Sequence, residues 1–410
     1  MKVLFLSHYF APEGNAPATR TFEHAKRWIE AGLDVTVITS NPNVPHGRLY
    51  AGYRNRLCQT EYLDGIRVVR VWTYLAANAG NLRRSLNYLS FLFSAVIAGL
   101  TVSKPKVIVA TSPQFFCGWA GVILSRLLNV KLVIEIRDIW PDSIAAVGAI
   151  KNPLPLRVLT MLEKTMYEAA DHIVTVGDGY REVLVDRHVP PQKITVIPNG
   201  ADLDRFRLDV SPIQVDEDAT DSSTFRCLYV GTVGMASGLD LIIRAAKILK
   251  IRGDESIRFI IVGDGADRSR LQTLCCESGL TNVIFTGLVK KSLIPAYVKA
   301  AHACLVHLRN DPLFKTVLPS KLFEALAMEK PVILGVKGSA SALLIESGGG
   351  ISIEPENEQE LLTAIDTLKG SDRRCKAIGN AGRRYVSEHF NRDHFARLYV
   401  TRVLEKYRYN

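Results

Sequence analysis

Short apolar, β-branched runs alternate with helical patterns along nearly the whole chain, and few folds tolerate that order. Residues 3–6, 35–38, 66–71, 107–109, 131–136 and 172–176 read as strands in the first half. Helical patterns such as 20–31 and 156–170 lie between them. The second half repeats the plan, with strands at 227–230, 258–262, 283–285, 303–306 and 331–334. Strands separated by helices imply parallel, doubly wound sheets covered by helices on both faces. A chain of 410 residues can supply two such α/β domains, each with its own core. The polar, acidic segment 208–224, with weak periodicity, reads as the connection between them. The expected organisation is therefore a Rossmann-like domain over 1–207, a linker over 208–224 and a second such domain over 225–390. A closing helical segment, 391–410, has apolar positions at Phe395, Leu398, Tyr399, Val403 and Leu404, suited to packing back on the first domain. Two doubly wound domains facing each other leave a deep cleft at the carboxyl ends of their strands, where such sheets bind ligands.

The charge is uneven. The net charge is +10, and residues 45–106 hold nine Lys/Arg against Glu61 and Asp64. Such a stretch attracts anionic lipid, a phosphorylated acceptor or nucleic acid. No nucleic-acid-binding signature accompanies it, which favours an anionic membrane surface and no nucleic acid. The most apolar stretch, 86–102, is interrupted by Asn87, Tyr88, Ser90, Ser94 and Thr101 and bracketed by Arg83, Arg84 and Lys104. It is too short and too polar to span a bilayer. It fits either a helix buried in the domain or an interfacial helix dipping into the bilayer. After Lys2 only four apolar residues precede Ser7, too few for the core of a secretion signal. Seven cysteines without a C-x-x-C pair, most of them in apolar runs, suit a reducing compartment.

The stretch 318–333 carries the strongest chemical signal. It reads as a short helix capped by Ser320, with Lys321 and Glu324 in its first turns, stopping before Pro331. A helix start presents unpaired backbone N–H groups that hold an anion such as a pyrophosphate, and Lys321 adds a full positive charge. Glu324 lies roughly 6 Å further along the axis, about the separation of a nucleotide's diphosphate from its ribose hydroxyls. A carboxylate is a pure acceptor suited to those hydroxyls. A surface helix with a local Lys321–Glu324 pair would give the same pattern.

Several loops sit where the strands of such a sheet end. After 227–230 comes Gly231-Thr-Val-Gly-Met-Ala-Ser-Gly238, whose Gly231, Thr232 and Gly234 could bring backbone N–H groups to phosphate. It matches neither G-x-G-x-x-G nor the P-loop, and a sharp bend alone would explain it. Gly263 and Gly265 follow the next strand and Val289 the one after, bordering a base or sugar or making plain turns. In the first half, Pro12 and Pro17 stiffen the loop 10–20, and Gly14 leaves room for a ligand. Arg137 and Asp138 end the strand 131–136, as an ion pair or as groups that orient a sugar or move a proton. Arg20, Arg83 and Arg84 are candidate acceptor contacts. No H-E-x-x-H, Cys/His cluster or D-x-D run marks a metal, and no G-x-S-x-G marks a nucleophile, so no cofactor is expected.

From end to end the chain resembles bacterial glycosyltransferases of the large retaining family four, with the GT-B fold. The resemblance rests on Ser7-His-Tyr-Phe-Ala-Pro-Glu-Gly14, Arg137-Asp-Ile-Trp-Pro-Asp142, Val196-Ile-Pro-Asn-Gly-Ala-Asp202, Val230-Gly-Thr-Val-Gly234 and Pro319-Ser-Lys-Leu-Phe-Glu324. Within the family it looks most similar to the N-acetyl-L-fucosamine transferases of O-antigen and capsule assembly. Those act at the cytoplasmic membrane face on undecaprenyl-diphosphate-linked sugars. The resemblance implies that Glu324 binds ribose. It also marks departures: the first Glu of the family's E-x₇-E falls at Thr316, and the basic residues of its phosphate loop fall at Thr232 and Ser237. A frequent His is Arg137, and the Gly that ends the donor helix is Glu329, where a left-handed cap would cost about 1 kcal/mol.

The resulting expectation is an enzyme that moves a sugar, with retention, from a nucleotide-sugar (UDP-linked) to a lipid-linked saccharide. It would be cytoplasmic and peripheral on the membrane's inner face. Ser320, Lys321, Glu324 and the 231–238 loop would hold the donor, with Lys321 stabilising the departing diphosphate. Two other readings stand beside it: a nucleotide-sugar epimerase with the same fold, and a binding subunit without catalysis.

Overall fold

A computed structural model describes residues 1–76, 81–112, 114–143, 153–214 and 224–408. They form two compact units, Met1–Pro198 with Asp393–Asn410, and Asn199–Arg392. The first boundary thus falls before residue 207, and hydrogen bonds explain why. The Ala201 N–H donates to the Phe390 carbonyl at 2.8 Å. The Arg392 guanidinium donates to the carbonyls of Asn199 (3.0 Å) and Gly200 (2.9 Å), and Phe206 is buried in the second unit's core. The acidic run 216–218 and Asp221 of the expected linker lie outside the described residues.

The first unit is built on β1 (Lys2–Leu6), β2 (Asp34–Ser40), β3 (Cys58–Leu63), β4 (Ile66–Val71), β5 (Val107–Thr111), β6 (Lys131–Ile136), β7 (His172–Thr175) and β8 (Ile194–Val196). Their order is β3-β4-β2-β1-β5-β6-β7-β8, parallel throughout except for the antiparallel β3–β4 pair. Its helices are α1 (Ala16–Glu30), α2 (Asn81–Thr101), α3 (Phe115–Leu128), α4 (Pro153–Ala169) and α5 (Asp178–Asp186). The central strands β1, β2, β5 and β6 are almost wholly buried because helices cover both faces, which is why their sequences are apolar without alternation. Asp393–Asn410 belongs to this unit, and Tyr399 packs on Trp28 of α1, ring centroids 4.9 Å apart.

The second unit holds β9 (Phe225–Val230), β10 (Ile257–Val262), β11 (Val283–Gly287), β12 (Ala303–His307), β13 (Val332–Gly335) and β14 (Gly350–Ser352). All pair in parallel, in the order β11-β10-β9-β12-β13-β14. Its helices are α6 (Asp240–Arg252), α7 (Arg268–Glu277), α8 (Ile294–Ala300), α9 (Ser320–Ala327), α10 (Ser339–Ser347), α11 (Glu358–Lys369) and α12 (Asp372–His389), and α13 (Arg392–Tyr399) follows. In each sheet the strand order reverses beside its first strand, between β1 and β5 and between β9 and β12. Ligands of open α/β sheets bind outside the carboxyl ends at such reversals, so the order alone directs attention to the loops after β9 and β12.

Helix α9 ends as the sequence suggested, but with the wrong residue for the job. Glu329 adopts φ +55°, and the N–H groups of Glu329 and Lys330 return to the carbonyls of Leu326 (3.1 Å) and Ala325 (3.2 Å). That is the pattern of a left-handed cap, in which an L side chain is strained. Gly379 of α12 accommodates the Glu329 carbonyl, which any Cβ there would strike. A loose contact between Arg383 and Glu329, 4.0 Å, and the charge of neighbouring Lys330 oppose a change of residue weakly. Glu329→Gly is therefore expected to raise stability by about 1 kcal/mol in chemical denaturation. An unchanged or lowered midpoint would refute the strain.

Candidate active site

The loop after β9 is zipped to its neighbours through the backbone. The Gly231 N–H donates to the Val262 carbonyl (2.9 Å), the Val233 N–H to Asp264 (3.0 Å) and the Gly263 N–H to Gly287 (3.0 Å). A Cβ on Gly263 would collide with the Gly231 carbonyl, and one on Gly265 with that of Val233. Close packing of one loop on the next thus accounts for both glycines. The Gly231 backbone, φ +141°, lies directly under Lys321: a Cβ there would be 3.0 Å from the ammonium nitrogen. Val289 is half-buried just beyond β11.

Lys321 is positioned by a residue the sequence did not single out. Its Nζ donates to the Tyr229 hydroxyl at 2.8 Å and lies 3.9 Å from the ring centroid. That is a hydrogen bond and a cation–π contact together. Tyr229, on β9, is fully buried, and its hydroxyl donates to the Thr232 carbonyl at 2.8 Å. Ser237 Oγ lies 2.8 Å from the same hydroxyl and donates to the Thr232 carbonyl at 2.9 Å. At Thr232 and Ser237, where the resemblance implies basic side chains, this loop instead braces the tyrosine that holds its lysine.

The start of α9 corrects one expectation. Ser320 is the first helical residue rather than the cap; the cap position is Pro319, extended at φ −65°, ψ 128°, and gives no side-chain hydrogen bond. Proline supplies the extended entry without a donor of its own; the Leu322 N–H returns to the Pro319 carbonyl at 3.0 Å, and the N–H groups of Ser320 and Lys321 are those that the helix cannot satisfy internally. Glu324 lies half-buried one turn on and lines a small recess with Lys321, Val230, Val298 and Val306. Thr316 turns inward, its hydroxyl donating to the Leu313 carbonyl at 2.8 Å.

A second unforeseen residue is His307, at the end of β12. Its Nε2 accepts the Glu356 N–H (2.9 Å), which leaves Nδ1 to donate to the Ser237 carbonyl (2.8 Å). Burial lowers its pKa, so the ring is a neutral clamp joining the end of β12 to the loop after β9 and to the segment after β14.

In the first unit, Asp138 and Arg137 do follow β6. The Arg137 N–H donates to Ser112 Oγ at 2.8 Å. Desolvation raises the Asp138 carboxyl to about 6, against the pull of hydrogen bonds from Ser143 and the Ile139 N–H. Asp138 lines a recess with Phe115, Trp140, Glu163 and Tyr167. Arg84 donates to the Tyr88 hydroxyl at 2.9 Å, and that hydroxyl lies 3.3 Å from Tyr9, which follows β1. Tyr9, Tyr88 and Trp140 are thus the residues of this region that the sequence reading missed. Gly14 is exposed, with open space where a Cβ would point, and Arg83 is exposed near the start of α2.

Arg20 is not an available acceptor contact. It is 4% exposed, pairs with the buried Glu135 (2.9 Å), and donates to the carbonyls of Ile197 and Pro198, each at 3.1 Å. A buried guanidinium must have its donors met, and here they tie α1 to β6 and to the segment after β8. Among the described residues no group of His, Cys, Asp or Glu is arranged to hold a metal ion.

Comparison with known proteins agrees with this architecture. Residues 15–200 match the family described as glycosyl transferase 4-like domain, and residues 213–385 the family described as glycosyl transferases group 1. A protein named for colanic acid biosynthesis, the glycosyl transferase WcaI of Escherichia coli K12, is 27% identical, covering 89% of this chain and 91% of its own. Sucrose-phosphate synthase of Thermosynechococcus elongatus has a similar fold, with TM-score 0.77 at 18% identity over the full length of both chains. The Anabaena protein HepE, solved in complex with UDP-glucose, gives 0.73 at 18% identity, covering 99% of this chain and 100% of its own. The chain is a GT-B glycosyltransferase composed of a glycosyl transferase 4-like domain followed by a group 1 domain.

Proposed function

We infer that the protein transfers a sugar from a UDP-sugar to a lipid-linked saccharide, with retention, in bacterial surface polysaccharide assembly. The observation that carries this reading is the Lys321 ammonium, fixed on Tyr229 against the Gly231 backbone at the strand reversal of the second unit. A diphosphate there meets that charge and the unpaired N–H groups at the start of α9. Glu324, one turn on, accepts hydrogen bonds from the ribose hydroxyls. Thr232, Gly234, Gly263, Gly265 and Val289 border the nucleotide through backbone atoms. The bond from the anomeric carbon to the diphosphate oxygen breaks as the acceptor oxygen bonds to the same face. The acceptor's proton passes to the departing diphosphate, whose charge Lys321 stabilises.

Asp138, Arg137 and Gly14 of the first unit serve the sugar and the acceptor, with Arg83 and Arg84 as its cationic contacts. The sugar complex of HepE and the name of WcaI support the donor and pathway class. The resemblance to N-acetyl-L-fucosamine transferases suggests an amino-deoxy sugar, a diphosphate-lipid acceptor and a peripheral place on the inner membrane face. Incubation with a panel of UDP-sugars and a membrane extract tests the reading. It expects released UDP and a longer lipid-linked glycan. A new UDP-sugar without UDP release would make the protein an epimerase, and neither product would leave a binding subunit.

A further inference from the structure

Helix α2 is apolar on two opposite sides. Phe91, Ala95 and Ala98 are buried against the first unit, yet Leu86 (46%), Phe93 (64%), Ile97 (67%) and Leu100 (49%) are exposed. At 3.6 residues per turn these four fall within roughly 60° of arc, facing away from the buried side. Helix α4 repeats the arrangement. Met166 and Tyr167 are buried, while Leu154 (67%), Val158 (47%) and Met161 (63%) are exposed in one stripe of similar width, about 60°. An ordinary surface helix is polar on its outer side, so two outward apolar stripes on one unit call for a partner.

The stripes belong to one layer. Helix α3 lies between them: a Cβ on Gly99 of α2 would strike Leu124 of α3, and one on Gly118 of α3 would strike Met166 of α4. Leu127, at the end of α3, adds a further exposed apolar side chain, 60% exposed. The exposed charge around the layer is mostly positive. Neither α2 nor α3 contains a carboxylate, while the exposed Arg83 and Arg126 are basic; Arg84 turns inward to Tyr88. Exposed Lys104 and Lys106 follow α2, and Arg157 flanks the α4 stripe. Of the two carboxylates on α4, Glu163 is buried against Arg187, and Glu168 lies 4.0 Å from Lys164.

We propose that the outer sides of α2 and α4 together form a docking surface for an anionic lipid bilayer, the two apolar stripes entering the headgroup boundary and the arginines and lysines meeting lipid phosphates. Charge selects this occupant: a surface whose exposed charges are mostly cationic, with Glu168 beside Lys164 as the exposed carboxylate of these three helices, suits an anionic interface better than a second copy of the same cationic surface. No described helix is long and apolar enough to cross a membrane, so the contact lies in the interface plane. The inference deepens the lipid-linked-acceptor reading and rests on it for its purpose.

The test is co-sedimentation with vesicles of phosphatidylglycerol and phosphatidylcholine, against vesicles of phosphatidylcholine alone. The protein is expected to bind the anionic vesicles at least tenfold more tightly, with binding weakened by salt. Phe93→Glu with Ile97→Glu, and separately Leu154→Glu with Met161→Glu, are each expected to cut binding about tenfold or more with unchanged circular dichroism and melting. A mixed result, in which only the α2 pair matters, would overturn the two-helix surface. So would a dimer in light scattering that either pair dissolves, with no vesicle binding in the parent. Vesicle binding without any sugar transfer would leave this surface standing while the acceptor reading failed; transfer without vesicle binding would sink the surface alone.

Discussion

Lys321→Ala is expected to lower kcat/KM for a UDP-sugar on the order of 10²- to 10³-fold, the scale for removing one charge-stabilising donor from a transition state. The reason is placement. The loop after β9 offers Thr232 and Ser237, neutral residues already engaged with Tyr229, so Lys321 is the cation held against Gly231. Because the charge on the diphosphate grows as the sugar departs, most of the loss should appear in kcat rather than KM. The fold should tolerate the change. Lys321 is half-buried, and Tyr229 keeps its bonds to Thr232 and Ser237. Steady-state kinetics beside a melting curve separates the two effects. A loss below about threefold with an intact fold would remove Lys321 from the chemistry.

Glu324→Ala should instead act on binding. A hydrogen bond to a charged group contributes about 1.5–3 kcal/mol, which corresponds to roughly 10- to 150-fold in donor affinity. The sharper signature is a comparison of nucleotides. The parent should prefer UDP to its 2′,3′-dideoxy analogue, and the variant should treat the two nearly alike, because the missing carboxylate and the missing hydroxyls are partners in one interaction. Calorimetric titration of both nucleotides against both proteins completes the cycle. If the parent shows no preference, or the variant keeps it, Glu324 does not hold the ribose.

How much of this was legible in the sequence follows from burial. The central strands stood out because helices cover both of their faces, leaving uninterrupted apolar runs. Strand β3, Cys58-Gln-Thr-Glu-Tyr-Leu63, did not, because it is an edge strand paired only to β4, with no residue buried. Strands β8 and β14 are three residues each, too short to show a period. The helix at 320 was readable because its charges and the following proline are local signals, although its cap is Pro319 rather than Ser320. Its lysine's partner was not: Tyr229 sits inside an apolar strand 92 residues earlier, where it looks like core. His307 is hidden the same way at the end of β12. Arg20 misled for the converse reason, since its carboxylate, Glu135, lies 115 residues away and only the fold brings them together. The segment 86–102 fitted two readings because α2 is buried on its inner side and apolar on its outer one.

A crystal of the protein soaked with a UDP-sugar puts the central claim to its most direct test. The account predicts diphosphate oxygens within hydrogen-bond distance, about 2.7–3.2 Å, of Lys321 Nζ and of the N–H groups of Ser320 and Lys321, with the ribose on Glu324. A nucleotide bound elsewhere, with the start of α9 closed off by protein, would contradict it.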